Sequence, residues 1–140
     1  MAIGKALADL HPDGASFYLD GDLGAGKTLL AKGIASGYRV EPDRVVSPTF
    51  ALVNRYSGGS QVVYHIDLYR IENERELDEL GLEELEDEVE ERRAAIVLEW
   101  PSKLDQLGRG FRSAAVWIHL KVLDEQTREI RVSQPETRGA

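Results

Sequence analysis

The chain has 140 residues, 42% of them hydrophobic and 30% charged, which suits one globular domain with its own core. It contains no cysteine, so disulfides, thiolate catalysis and zinc–thiolate sites are excluded. The formal net charge is −8, and about half of the 25 acidic residues lie between Glu72 and Glu91, so we expect no autonomous nucleic-acid binding there.

The first residues predict a helix followed by a buried strand. Apolar residues recur at helical spacing over residues 1–10, and a His-Pro-Asp-Gly break precedes the aromatic and aliphatic run at residues 16–20. No apolar stretch approaches the ~20 residues of a membrane span. The N-terminus also lacks a signal-peptide core, so we predict a cytoplasmic location.

Residues 21–28 match the phosphate-binding P-loop pattern G-x-x-x-x-G-K-[ST]. Its glycines let successive N–H groups point into one concavity, and a helix starting near Lys27 adds its positive dipole end. We expect Lys27 to reach the β- and γ-phosphates of a nucleotide, and the Thr28 hydroxyl to bind Mg²⁺. The predicted nucleotide-contacting residues of this motif are Asp22, Leu23, Gly24, Ala25, Gly26, Lys27, Thr28 and Leu29.

A Ser-Gly-Gly-Ser turn separates two strand-like runs, residues 51–56 and 61–66, which predicts a β-hairpin inserted after the P-loop helix. Just before the hairpin the chain reads Ser-Pro-Thr-Phe. Thr49 fits the hydroxyl that senses γ-phosphate and Mg²⁺ in P-loop switch proteins. It fits a capping hydroxyl beside Pro48 equally well.

Two hydrophobic strands end in a carboxylate. Asp67 follows one such run and Glu99 follows another, at residues 94–98. Ligands of open α/β sheets bind at the carboxyl ends of the strands. A buried strand ending in an acid is also the Walker-B arrangement, in which the acid holds or orients the Mg²⁺ shell. His65, two residues before Asp67, is as compatible with packing as with function.

The rest of the chain completes an α/β pattern. The acidic segment predicts two short helices separated by Gly81, and residues 114–122 and 129–133 predict two further strands. We predict a single α/β domain over residues 1–140, with residues 136–140 as a flexible tail. Its expected architecture is a P-loop NTPase fold with a mostly parallel central sheet, an inserted β-hairpin and flanking helices.

Together these motifs resemble the bacterial family of ATPases required for tRNA threonylcarbamoyladenosine biosynthesis, known as TsaE or YjeE. The P-loop alone is generic, but its combination with the Tyr-His-Ile-Asp and Leu-Glu-Trp-Pro motifs is specific. The chain departs from the family at Leu29, where a second hydroxyl is usual, and at Ser102, where an acid is common. The resembling stretches are residues 21–28, 47–50 with 52–53, 64–70, 76–77 with 80–81, and 98–101.

The resemblance implies a weak ATPase that uses ATP and Mg²⁺. Its implied partners are the threonylcarbamoyl-transferase subunit and its inactive paralogue, of the TsaD and TsaB type, which ATP binding and hydrolysis would drive or reset. By this match, Lys27, Asp67 and Glu99 are the catalytic residues, with Asp67 assisting or orienting the attacking water. Thr28 and Glu99 would hold Mg²⁺, and Thr49 would belong to the switch segment.

Other functions compete with this one. A regulatory GTPase reads guanine with Asn/Thr-Lys-x-Asp, which residues 102–105 imitate loosely, but its Asp-x-x-Gly is absent after Asp67. A small-molecule kinase needs an arginine-bearing lid, and residues 108–112 are the candidate, although a plain loop is simpler. A non-enzymatic binding module would use ATP only to set a docking state. Arg131 is a guess for the contact with the nucleotide base.

Overall fold

The hydrophobic runs form the strands of one sheet in the computed structural model of the chain, which describes residues 1–22, 26–48 and 52–134. Within those ranges the sheet has six strands in the order β2-β3-β4-β1-β5-β6. They are β1 (Ser16–Gly21), β2 (Val53–Tyr56), β3 (Val62–Asp67), β4 (Ala94–Glu99), β5 (Val116–Val122) and β6 (Arg128–Ser133).

The four inner strands are parallel, and only the two edge strands run antiparallel to their neighbours. Every residue of β4 is buried, as expected of a strand covered by helices on both faces. The predicted hairpin is β2–β3, and its second strand also pairs in parallel with β4. The predicted mostly parallel α/β sheet is therefore confirmed.

Helices cover both faces of the sheet. On one face, α1 (Ala2–Asp9) and α2 (Lys27–Gly37) pack on side chains such as Phe17 and Val97. On the other, α3 (Glu74–Glu79) and α4 (Leu82–Glu90) cover the alternate side chains. Gly81 separates these two helices with φ +69°, a left-handed conformation that favours glycine. A short helix, α5 (Ser102–Gln106), follows β4 where no helix was predicted. No helix in the described ranges is long and apolar enough to cross a bilayer.

The loop after α5 is tied to the acidic helices. Arg109 forms ion pairs with Asp78 and with Glu83, the latter at 3.3 Å. Arg112 forms ion pairs with Glu90 and with the buried Glu86, the latter at 2.6 Å. These contacts hold the arginines against α3 and α4, which favours a structural loop over a kinase lid.

Candidate functional site

The N-terminus of α2 has the features of an anion-binding end. Gly26, its N-cap, has φ +99° and makes no side-chain cap, and no atom of the described residues lies within 4 Å of a Cβ added to it. The first turn of α2 also carries no acidic residue. Backbone N–H groups at a helix start have no partner within the helix, and the dipole there favours a negative charge. This end of α2 is therefore suited to phosphate oxygens.

Lys27, the first residue of α2, is buried and held by two contacts. Its ammonium donates to the Gly21 carbonyl at 2.8 Å and lies 3.8 Å from the centroid of the Trp100 ring. Burial lowers the pKa of Lys27, and the nearby Glu99 and Asp67 oppose that shift. The lysine is thus placed beside both strand-end carboxylates.

Trp100 has a strained backbone at the end of β4. Its φ is +61°, a value that a residue with a bulky side chain rarely adopts. The indole ring packs on Tyr69 with 5.0 Å between ring centroids, and it lies under the Lys27 ammonium. Strain of this kind concentrates at functional sites, and here the strained residue is the one whose ring contacts Lys27.

The two strand-end carboxylates lie at matching positions of neighbouring strands. Asp67 of β3 pairs in register with Glu99 of β4, so both side chains leave the same face of the sheet. Asp67 Oδ1 accepts a hydrogen bond from the Tyr69 N–H at 2.9 Å. Burial raises the pKa of Asp67; the Glu99 charge adds to the rise, whereas the Tyr69 bond and Lys27 oppose it. A carboxylate with a raised pKa is a better proton acceptor.

Asp67→Asn is expected to raise the free energy of unfolding at neutral pH, because the variant no longer buries a charge while its amide oxygen can keep the Tyr69 bond. In the unfolded wild type the Asp67 pKa lies near 3.8, below its raised folded value. As pH rises above 3.8, the wild type therefore loses stability relative to the variant until the folded pKa is passed, and the gap then stays constant.

Urea unfolding of both proteins, from below the unfolded pKa to neutrality, measures this gap. Midpoints that coincide at every pH would contradict the raised pKa of Asp67.

These groups surround one cavity of about 590 Å³. The predicted site residues that line it are Gly26, Lys27, Thr28, Leu29, Asp67 and Glu99. Asp22 is exposed and does not line it, and Leu23, Gly24, Ala25 and Thr49 lie outside the described residues. The lining residues that were not predicted are Lys32, Ser47, Pro48, Leu52, Tyr69, Arg70 and Trp100. Ser47 and Pro48, the two residues before Thr49, are among them.

A second cavity, of about 330 Å³, shares Gly26 and Leu29 with the first. Its walls are mostly aliphatic and come from α1, α2 and the β5–β6 hairpin. Arg131 does not line it and instead binds Glu129 at 2.7 Å. The lining residues are Met1, Ile3, Gly26, Leu29, Leu30, Leu120, Glu125, Gln126, Arg128 and Ile130.

His65 contacts the site in a way that the sequence left open. It lies on the same face of β3 as Asp67, and its Nε2 is 2.5 Å from Glu99 Oε2. Strand periodicity alone places His65 and Asp67 on one face. The register of β3 against β4, which brings Glu99 within reach, could not be read from the sequence.

Known proteins resemble this chain in sequence. A family model described as "Threonylcarbamoyl adenosine biosynthesis protein TsaE" matches residues 1–130. The chain belongs to the TsaE family. It is 40% identical over 104 residues to the tRNA threonylcarbamoyladenosine biosynthesis protein TsaE of Synechocystis sp.. It is 32% identical over 139 residues to that of Mycobacterium leprae, covering 95% of this chain and 81% of the relative.

A solved structure also resembles this chain in fold. The crystal structure of Bacillus subtilis YdiB superposes with a TM-score of 0.65 and 27% identity, covering 97% of this chain and 81% of that one. The Synechocystis alignment covers 74% of this chain. The chain spans slightly less than two thirds of the Synechocystis and Nostoc TsaE relatives, 65% and 62% of their lengths. The family resemblance drawn from the motifs is therefore confirmed.

Proposed function

We propose that this chain is a cytoplasmic ATPase that binds ATP and Mg²⁺ in the 590 Å³ cavity and hydrolyses ATP slowly. Its ATP binding and hydrolysis would drive or reset the threonylcarbamoyl-transferase complex of tRNA threonylcarbamoyladenosine biosynthesis. Its partners in that complex would be subunits of the TsaD and TsaB type. One observation carries the proposal. The N-terminus of α2, Lys27 and two strand-end carboxylates converge on a single cavity.

The residues present fit a magnesium ion that shares its shell with phosphates. In the described ranges no group of three His, Cys, Asp or Glu side chains forms a self-contained metal site. A Mg²⁺ ion does not need three such protein ligands, because it keeps several waters and binds through one or two protein oxygens plus substrate phosphates. Thr28 and Glu99 would hold it, and the ion would neutralise charge on the β- and γ-phosphates.

The protein's own groups divide the remaining work. The first N–H groups of α2 would bind phosphate oxygens, and Lys27 would leave the Gly21 carbonyl and the Trp100 ring to bind the β- and γ-phosphates. Asp67 would accept the proton of the attacking water or orient it. Its raised pKa brings it closer to the proton affinity that such a base needs.

We place the nucleotide base in the 330 Å³ cavity, because Gly26 and Leu29 line both cavities. Leu29, 54% exposed, would offer an apolar contact where a hydroxyl is usual in the family.

Phosphate release by the purified chain tests hydrolysis, with EDTA as the metal-free control and competition between ATP and GTP as the test of the base. Release from MgATP in the absence of any added acceptor supports an ATPase over a kinase. A clear preference for GTP would overturn the assignment of the nucleotide.

A binding switch without hydrolysis is the second candidate, because Ser47 and Pro48 bring the segment before Thr49 to the same cavity. Pull-down of the transferase subunit and its paralogue, with and without ATP, tests the switch function. Capture that depends on ATP but proceeds without phosphate release would favour the pure switch. Equal capture with and without ATP would show that the nucleotide does not control partner binding.

A further inference from the structure

A buried histidine–carboxylate pair lies behind the candidate site. His65 is 1% exposed and Glu99 is 4% exposed, and His65 Nε2 lies 2.5 Å from Glu99 Oε2. A carboxylate at that depth needs a hydrogen-bond donor in place of lost water. In the described ranges, His65 is the one side chain that forms a hydrogen bond with Glu99.

The register of the strands explains how the two side chains meet. Glu99 pairs directly with Asp67, and His65 pairs with Val97, two residues before Glu99. His65, Asp67 and Glu99 therefore share one face of the sheet. The Glu99 side chain contacts His65 through Oε2, and Glu99 also lines the 590 Å³ cavity.

The other ring nitrogen of His65 argues against an ordinary packing role. Nδ1 is buried and has no hydrogen-bond partner in the part of the chain that the structure describes. Leaving such a nitrogen unpaired costs on the order of 1–3 kcal/mol. An aliphatic side chain would occupy the same strand position without that cost. The polar interaction that a histidine adds here is its bond to Glu99.

We propose that His65 is a positioning residue whose Nε2–H holds Glu99 in the orientation that serves the Mg²⁺ shell. The inference rests on the proposed function, because it acts through Glu99. Carboxylates that bind metals are commonly oriented by such a hydrogen bond, and its loss typically lowers metal affinity or activity 10–100-fold.

Three variants separate the donor from the shape of the side chain. His65→Leu fills space without a donor, His65→Gln places an amide N–H near the Nε2 position, and His65→Asn mimics Nδ1 only. We expect Leu and Asn to lower kcat roughly 10–100-fold and to raise the Mg²⁺ concentration for half-maximal activity, with Gln retaining most of both. Binding of a fluorescent ATP analogue in EDTA should change less than about twofold, because Glu99 is then without its metal.

His119→Leu is the matched control. His119 Nδ1 lies 3.1 Å from Asp20 Oδ2 across β5 and β1, a second histidine–carboxylate pair between parallel strands that is partly exposed. This variant should leave kcat and the Mg²⁺ requirement unchanged. Equal losses in His65→Leu and His119→Leu, or full activity in His65→Leu, would overturn the positioning role.

A double-mutant cycle tells this inference apart from the proposed function. If His65 acts through Glu99, His65→Leu should add little loss in a Glu99→Gln background, whereas a merely structural role predicts additive losses. A Glu99→Gln change without effect on hydrolysis would exclude Glu99 from the Mg²⁺ shell and the inference with it, whereas a wild type that releases no phosphate from MgATP would refute the proposed function itself. Loss in Glu99→Gln with none in His65→Leu refutes His65 alone.

The position of the proton on the His65 ring can be measured in the wild-type protein, so this test does not depend on the folding of variants. With ¹⁵N-labelled histidine, NMR should show His65 protonated at Nε2 in the free protein, because only an Nε2–H can donate to the carboxylate. An Nε2 without a proton would overturn the proposal.

Discussion

Glu99→Gln is expected to lower ATP hydrolysis about 100-fold while leaving nucleotide binding in EDTA nearly unchanged. The amide removes the negative charge that would hold Mg²⁺, and losing such a contact costs several kcal/mol in the transition state. The fold should survive, because glutamine has nearly the same shape and its carbonyl can still accept the bond from His65.

Single-turnover phosphate release across a Mg²⁺ titration measures the effect of Glu99→Gln. Glu84→Gln, an exposed charge change on α4, is the control for charge and should behave as wild type. Unaltered turnover in Glu99→Gln would exclude Glu99 from the metal and water shell.

Lys27→Ala is expected to weaken ATP binding about 10–100-fold. A hydrogen bond between charged groups contributes roughly 1.5–3 kcal/mol, and each 1.4 kcal/mol changes affinity tenfold. In the wild type, part of the binding free energy from the Lys27–phosphate bond is offset, because Lys27 must first leave the Gly21 carbonyl and the Trp100 ring. The measured loss is therefore the difference between two sets of contacts.

Trp100 fluorescence reports that exchange directly. The chain has two tryptophans, so Trp117→Phe leaves Trp100 as the only reporter. ATP should change its emission when Lys27 is present and change it much less in Lys27→Ala. Lys121→Ala, an exposed lysine on β5, is the control. Equal ATP affinity of Lys27→Ala and wild type would exclude Lys27 from phosphate binding.

Much of the fold was predictable because its strongest signals are local. The apolar run of β4 and its terminal Glu99, the P-loop helix and the break at Gly81 each follow from a few neighbouring residues. Helix α5 was missed because five residues starting after Pro101 are too short to show a period.

The candidate site was predictable in its members more than in its contacts. Lys27 comes from the P-loop motif, and Asp67 and Glu99 come from the ends of two strands; the structure places all three at one cavity. Lys27 stacks on Trp100, which has a positive φ, and the His65–Glu99 bond depends on the register of β3 against β4. Neither is encoded by neighbouring residues. The predictions for Thr49 and for the tail lie outside the described residues and stay predictions.

The alternation along β4 links the site to the core. Glu99 faces the cavity, and its neighbour Leu98 is buried in the apolar cluster under α3 and α4. A slip of β4 by one residue would place a carboxylate in that cluster and a leucine in the cavity. Both changes would destabilise the fold, so the side chains on the two faces of β4 together fix the register of the strand. An insertion or deletion of one residue within β3 or β4 would therefore disrupt the site. The hairpin turns can change length without displacing the carboxylates.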